Sequence, residues 1–298
     1  MKPLFIWAGG KNKMIPKYKA TPGIPTNGFD TFVEPFFGGG AMTIYMYKNV
    51  PSIKRFVIND VKKEVMEIYK SVKHDHEEFC KKLDELESQY IPLDKVQRKK
   101  FYYDLRHEHA WEYEKWNKVE ESAVLYFLMR TGFNGIYQLN INTNGRYGTP
   151  SGLLKEKTAV YDRDNLKEWH VFLQKADLKC GDWLEASDSY DNAFFFLDPP
   201  YRDSFTQYGS EFDDEAQIKL INFCKEKAAT GNIVFYCNRD DGTDNFYETH
   251  KGSLQSEHYA VTYTAGRRKK IEDGFEAKKA IEILLHNAET KETLEEFF

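Results

Sequence analysis

The sequence predicts an α/β fold on an open, largely parallel sheet, and three observations carry that reading. Short apolar runs stop at turn-forming residues, as in Thr31-Phe32-Val33 and Arg55-Phe56-Val57-Ile58. Helical spacing follows the second of them, at Val61, Val65, Ile68, Tyr69 and Val72. The run Ala193-Phe194-Phe195-Phe196-Leu197 carries no charge, as suits a strand buried on both faces of a parallel sheet.

Taken in order, Phe5-Ile6-Trp7-Ala8-Gly9-Gly10-Lys11 is an apolar start followed by two glycines and a lysine. The strand at Thr31 runs into Glu34-Pro35-Phe36-Phe37-Gly38-Gly39-Gly40, and Ala41 to Tyr47 reads as a helix. A second strand ends at Asn59-Asp60, so the chain opens as strand, glycine turn, helix, strand and helix, the start of a Rossmann-like sheet. From about His74 to about Glu168 the character changes. Phe79, Leu83 and Leu86 predict an amphipathic helix and Ala123 to Met129 a buried one. Residues 133–152 mix Asn, Gly, Thr, Tyr and Pro in the manner of a loop or hairpin. This segment reads as a mostly helical insertion, giving one domain from 1–73 and 169–298 and a second from 74–168. Alternation resumes with a strand at 194–198, a helix near Glu215 to Lys227 and a strand at Ile233 to Cys237. Two late apolar runs, His258 to Thr264 and Ala280 to His286, suit a hairpin closing a sheet edge.

A length of 298 residues allows one large α/β domain or two modest ones. No stretch approaches the roughly 18 apolar residues of a membrane span, and the start Met1-Lys2-Pro3-Leu4-Phe5 is too short for a signal peptide, so a cytoplasmic protein is expected. Cys80, Cys180, Cys224 and Cys237 are far apart and read as reduced thiols without structural zinc. The net charge of −5 argues against a general nucleic-acid binder, but its distribution is uneven. Acid gathers at Glu292, Glu295 and Glu296, and base at Lys95, Arg98, Lys99, Lys100 and at Arg267, Arg268, Lys269, Lys270. Each basic cluster suits either a phosphate contact or a solvated face. His74-x-His76 and His107-x-His109 lack a third ligand at a clear spacing, so no metal site is expected.

The most informative stretch is Asp198-Pro199-Pro200-Tyr201. Two prolines without N–H groups end the preceding strand and turn the chain out rigidly. An acid, a run of carbonyls and a ring then project from the carboxyl end of a strand, where open α/β sheets hold their ligands. Such a turn can accept hydrogen bonds from an amine and stack a flat heterocycle. Upstream, Phe36-x-Gly38-x-Gly40 is followed by Asp60, 20 residues beyond Gly40, at the end of the next strand. An acid there can bind both hydroxyls of a ribose. No Gly-Lys-Ser/Thr phosphate loop follows, so an adenosine ligand without phosphates, such as S-adenosylmethionine, fits best. The same residues also describe a packing turn with a helix-capping Asp60. Trp7 offers a flat surface and Lys11 a cation for a carboxylate, or else a core indole and a surface amine.

In chain order, Trp7-Ala8-Gly9-Gly10-Lys11, Val33-Glu34-Pro35-Phe36 with its glycines, Asn59-Asp60, the insertion and Asp198-Pro199-Pro200-Tyr201 resemble the Dam family of DNA adenine methyltransferases. The resemblance spans residues 5 to about 201 and weakens after 240. It implies a Rossmann-like S-adenosylmethionine-dependent methyltransferase sheet with an inserted, mostly helical DNA-recognition domain carrying a β-hairpin. It further implies double-stranded DNA as partner, no obligatory protein partner, and the cytoplasm of a bacterial or phage-infected cell. Phe133-Asn134-Gly135-Ile136-Tyr137 and Asn144-Gly145-x-Tyr147-x-x-Pro150-x-Gly152 are similar to the family's base-reading hairpin. That similarity implies DNA contacts for Phe133, Asn134, Gly135, Ile136, Gln138, Arg146 and Pro150. Cys180-Gly181-Asp182-Trp183 is similar to an element bordering the cofactor's adenine, which implies a role for Asp182. The catalytic turn is then Asp198, Pro199, Pro200 and Tyr201, with Trp7, Lys11, Phe36, Gly38, Gly40, Asp60, Asp182 and Asp198 at the cofactor.

The implied chemistry needs no metal or covalent intermediate. Asp198 and the Pro199 carbonyl accept the two hydrogens of adenine's exocyclic amine and free its lone pair for in-line methyl transfer. A target in duplex DNA must be flipped out, and Tyr201 offers the face on which it stacks. Methylation of a cytosine amine or of a protein glutamine are alternatives, but those relatives usually carry Ser or Asn in place of Asp198. A non-catalytic DNA-binding relative is a third alternative, against which the intact Trp7, Lys11, Asp60, Asp198 and Tyr201 argue. Family members that methylate GATC generally carry arginine where Gln138 stands, and commonly lysine where Ile6 stands. A site other than strict GATC is therefore expected, unless Arg146 reads the guanine instead.

Overall fold

In a computed structural model, residues 1–7, 9–152, 159–202, 212–240, 242–263, 269–271, 274–276 and 278–289 are described, without the side chains of 263–278. The basic cluster from Arg267 to Lys270 and the acidic Glu292, Glu295 and Glu296 therefore lie, wholly or in their side chains, outside the described residues, as does Ala8.

The helices are α1 (Ile15–Ala20), α2 (Ala41–Asn49), α3 (Lys63–His74), α4 (His76–Tyr90), α5 (Lys95–Trp111), α6 (Lys118–Thr131), α7 (Arg163–Leu173), α8 (Trp183–Ser187), α9 (Asp214–Ala229) and α10 (Phe246–His250). The strands are β1 (Thr31–Glu34), β2 (Arg55–Asp60), β3 (Ala176–Cys180), β4 (Ala193–Leu197), β5 (Ile233–Asp240), β6 (Gln255–Tyr263), β7 (Lys269–Ile271), β8 (Gly274–Glu276) and β9 (Lys278–His286). A seven-stranded sheet runs β3-β2-β1-β4-β5-β9-β6, and β7 pairs with β8 separately. The order reverses direction between β1 and β4, the switch point of a Rossmann-like sheet.

Composition accounts for the centre. β4 is buried at every residue, and β1 and β5 flank it in parallel, so both of its faces need apolar side chains. Phe194 meets Phe29, Phe32 and Phe235 with ring centroids 5.0 to 5.5 Å apart. The late hairpin forms as expected, with β9 antiparallel to both β5 and β6.

The chain divides into two compact units. The first comprises Met1–Gly10, Phe37–Ile44 and Ile58–Ala186 and holds most of the helices. In α3 the buried Val65, Met66, Ile68, Tyr69 and Val72 form one stripe, whereas α6 is buried from Ser122 to Met129. Capping boxes start two of these helices, Asp94 with Gln97 at α5 and Asn117 with Glu120 at α6. The second unit comprises Lys11–Phe36, Tyr45–Val57 and Ser187–Phe298 and holds β1, β4, β5, β9 and β6. Among the described residues no helix is long and apolar enough to cross a membrane.

The segment read as a loop or hairpin is an irregular one. It doubles back through two isolated antiparallel bridges, Gly132 with Ser151 and Leu139 with Tyr147, and contains 3-10 turns at Phe133–Gly135 and Ile141–Thr143. Asn134 and Asn144 adopt positive φ of 53° and 54°, which interrupts any regular ladder.

Candidate active site

Register brings the carboxyl ends of β1 and β4 close to level, since Val33 pairs with Phe195, while β5 runs on past Tyr236, the partner of Leu197. Past Leu197 the prolines end the ladder, and Asp198 to Tyr201 leave the sheet as a turn. Lys11 meets this turn from a short 3-10 segment, Lys11–Lys13. Only 3% exposed, it donates from Nζ to Asp198 Oδ1 and to the Tyr201 hydroxyl, each at 2.6 Å. The ammonium also lies 4.8 Å from the Tyr201 ring centroid, within cation–π range. Burial pulls the Lys11 pKa down, but the Asp198 carboxylate, with Glu282 and Cys237, outweighs it and the net direction is up. Burial pushes the Asp198 carboxyl up, and Lys11 offsets this only in part. Lys11, which the resemblance places at the cofactor, here contacts the Asp198 to Tyr201 turn. Phe36, after β1, meets Phe212 edge-on at 5.7 Å.

The carbonyls of the turn are not equivalent. Pro200's accepts a hydrogen bond from Gln217 Nε2 at 2.9 Å. Among the described residues Asp198 Oδ2 and the Pro199 carbonyl accept none, which leaves two acceptors at one place in the chain.

In the first unit the glycine turn and Asp60 meet as their spacing predicts. Asp60 is buried; its Oδ2 accepts from the Gly38 N–H at 2.8 Å and its Oδ1 from the Lys62 N–H at 3.0 Å. Burial pushes its carboxyl up despite those bonds, so an additional hydroxyl donor here would meet an under-solvated carboxylate. The glycines serve packing. A Cβ at Gly38, whose φ is +50°, would lie 2.6 Å from Trp7 Nε1, and one at Gly40, whose φ is +64°, would lie 2.5 Å from the Phe37 ring. Trp7 is half-buried and also faces Tyr137 at 5.7 Å. Asp182 is exposed and caps α8, its Oδ1 accepting from Leu184 N–H at 2.9 Å. The neighbouring Gly181 carbonyl accepts from Asn59 Nδ2 at 3.1 Å, tying Asp182 to the residue before Asp60.

The recognition segment presents some of its expected residues outward and turns others in. Phe133 is 51% exposed, and Asn134 and Pro150 are exposed too. Ile136 and Gln138 are half-buried, and Gly135 is buried, packed so closely that a Cβ would overlap Ile6. Arg146 does not face outward. Its guanidinium, 14% exposed, pairs with Glu121 and, at 3.2 Å, with Glu64, and lies 4.0 Å from the Tyr113 ring centroid. Two carboxylates share one terminal nitrogen of the guanidinium while its Nε has no hydrogen-bond partner among the described residues, so in this conformation Arg146 braces the segment from within. Of the histidine pairs, His109 is buried in α5, where burial and then Arg146 push its pKa down to about 3. Among the described residues no three His, Cys, Asp or Glu side chains converge on a metal-sized site.

Two groups of residues escaped the sequence. Glu64 holds both Arg146 and, at 3.1 Å, the Tyr137 hydroxyl. Gln217, Tyr236 and Asn238 form a fully buried polar triangle behind the Asp198 to Tyr201 turn. A signal for the second existed: Tyr236 and Asn238 stand two apart at the end of the apolar run of β5, so they share a face and need partners.

The model of the D12 class N6 adenine-specific DNA methyltransferases matches residues 7–285. The type II methyltransferase M.MjaIII of Methanocaldococcus jannaschii is 31% identical over 80% of this chain and 84% of its own. M1.LlaDCHI of Lactococcus lactis subsp. cremoris is 27% identical over 80% and 81%. M.CviBI of Paramecium bursaria Chlorella virus NC1A is 28% identical over 87% and 90%. A solved precorrin-6y C5,15-methyltransferase from Geobacter metallireducens aligns over 95% of this chain and 92% of its own, with 10% identity and a TM-score of 0.39.

Proposed function

Because this chain belongs to the D12 class N6 adenine-specific DNA methyltransferase family, we propose that it methylates the exocyclic amine of an adenine flipped out of double-stranded DNA, at a specific site other than strict GATC. S-adenosylmethionine, when bound, supplies a methyl group activated on a sulfonium. Asp60 would take its ribose and Trp7 its flat adenine, with Gly38 and Gly40 shaping the turn between Asp60 and Phe37 and with Phe36 and Asp182 at its border. The buried Asp60 carboxylate beside a tightly packed glycine turn supports that fit.

One observation carries the reading of the catalytic turn. Asp198 Oδ2 and the Pro199 carbonyl are both open to donors among the described residues, while the Pro200 carbonyl is tied to Gln217. Two acceptors match the two hydrogens of an amine, and a nitrogen held by both is drawn toward tetrahedral geometry with its lone pair released. Tyr201, whose hydroxyl is fixed by Lys11, stacks the extruded base. Lys11 opposes the push of burial toward protonation of the acid and is displaced or shared when the amine arrives. Residues 74–168 act in DNA recognition and residues 1–73 with 169–298 in catalysis, with Phe133, Asn134, Gly135, Ile136, Gln138 and Pro150 toward the bases. Gln138 in place of an arginine supports a site without a guanine at that step, because glutamine's amide matches adenine. Methylation-sensitive sequencing of DNA from a host expressing the chain tests this. N6-methyladenine in one non-GATC context supports the proposal, and methylation confined to GATC overturns its specificity.

A further inference from the structure

We propose that Gln217 is a positioning residue for methyl transfer, which, through Tyr236 and Asn238, holds the peptide planes on both sides of Tyr201. The inference rests on the function proposed above. Leu197 of β4 pairs with Tyr236 of β5, so Asn238 lies one pleat further on, level with the turn that follows Asp198. From there Asn238 Oδ1 accepts the Arg202 N–H at 3.0 Å and the Arg239 N–H at 2.8 Å. Gln217, on α9, donates from Nε2 to the Pro200 carbonyl at 2.9 Å.

The rest of the triangle has no freedom of direction. Two backbone N–H groups require an oxygen at Asn238 Oδ1, which puts its amide nitrogen on the other side. That nitrogen donates to the Tyr236 hydroxyl at 2.9 Å and to Gln217 Oε1 at 3.1 Å. Tyr236 donates in turn to Gln217 Oε1 at 2.6 Å, which leaves Gln217's nitrogen as the group facing the Pro200 carbonyl. Gln217, Tyr236 and Asn238 are all fully buried, so each broken bond leaves a polar group that water cannot reach. The bonds therefore reach the planes before and after Tyr201, while the Pro199 carbonyl is left out of them. Arg202 is fixed a second time by Asp214 at 2.6 Å and Asp244 at 2.8 Å, over the Phe246 ring. Such a frame presents the ring and the amine acceptors in one orientation before any substrate arrives.

The test exploits the direction of one bond. Gln217→Glu keeps the side-chain shape but donates to the Pro200 carbonyl only when its carboxyl is protonated. The ionisable groups around that position are the phenols of Tyr236 and Tyr247, the Cys224 thiol and Arg202 with Asp214 and Asp244. Single-turnover transfer from labelled S-adenosylmethionine to duplex DNA should fall about 10²-fold at alkaline pH, the usual cost of a misplaced reacting group. Relative to the wild type at the same pH it should recover on acidification, although both decline in absolute rate once Asp198 takes a proton. Cofactor and DNA dissociation constants should move less than about threefold, giving a loss in kcat without one in KM. A pH profile parallel to that of the wild type would reduce Gln217 to a structural residue and overturn the inference. If Gln217→Glu does not fold, Tyr236→Phe removes only the bridging hydroxyl and should lower kcat about tenfold at unchanged KM; an unchanged kcat overturns the inference. A folded wild type without methyl transfer would instead overturn the function on which it rests.

Discussion

Gly38→Ala tests the packing of the glycine turn in two independent ways. The residue has φ +50°, where a Cβ costs about 1–2 kcal/mol. Its Cβ would also stand 2.6 Å from Trp7 Nε1 and 2.8 Å from Cδ1, so the indole must move. Overpacking of that kind costs about 1–3 kcal/mol, for a total of about 2–5 kcal/mol. Against a typical stability of about 5–15 kcal/mol that is a large fraction. Urea unfolding followed by circular dichroism should register it directly. Calorimetry should show weaker S-adenosylmethionine binding, because Trp7 is pushed from its place beside Tyr137. Adding Trp7→Ala removes the clash and leaves the φ cost, so the double variant should lose less than the two singles sum to, by about 1–3 kcal/mol. A Gly38→Ala protein within about 0.5 kcal/mol of wild type, or strictly additive singles, would refute the reasoning.

Further substitutions probe the remaining contacts. Lys11→Met withdraws the cation that opposes the upward push of burial on Asp198. The acid limb of the rate profile, where Asp198 takes a proton and ceases to accept, should then shift to higher pH; a shift to lower pH would be wrong in sign. Arg146→Ala removes the cation shared by Glu64 and Glu121, so it should destabilise by about 1–3 kcal/mol while leaving the methylated sequence unchanged. Relaxed specificity on sequencing would restore it to the DNA interface. Gln138→Arg should add preference for guanine at one position of the site, worth about 1–3 kcal/mol of discrimination, and an identical site spectrum would remove residue 138 from base reading.

The fold was legible wherever burial is one-sided or complete. β1, β2, β4 and β5 announce themselves as apolar runs, and α3 by its stripe. α5 was not seen, because its surface bases Lys95, Lys99 and Lys100 masked a helix that the Asp94 and Gln97 capping box marks. β3, only partly buried and carrying Asp177 and Lys179, offers no clean alternation. In the site, Asp60 and Gly38 were found by spacing, since a glycine turn and the next strand's end are local features of one βαβ unit. The inward turn of Arg146 and the Gln217 triangle were not. Both depend on pairs such as Arg146 with Glu64 or Gln217 with Asn238, far apart in sequence and chosen by tertiary packing. The expected hairpin is irregular, with bridges and 3-10 turns, and the positive φ of Asn134 and Asn144 within it is tolerated by asparagine but not revealed by composition.

The most direct measurement is nucleoside mass spectrometry of duplex DNA incubated with S-adenosylmethionine and either the wild type or Asp198→Ala. N6-methyladenine should accumulate with the wild type and fall by about 10² or more with the variant, while DNA affinity changes little. N4-methylcytosine as the product, or an Asp198→Ala protein with more than about a tenth of wild-type turnover, would contradict the role given to the Asp198-Pro199 acceptor pair.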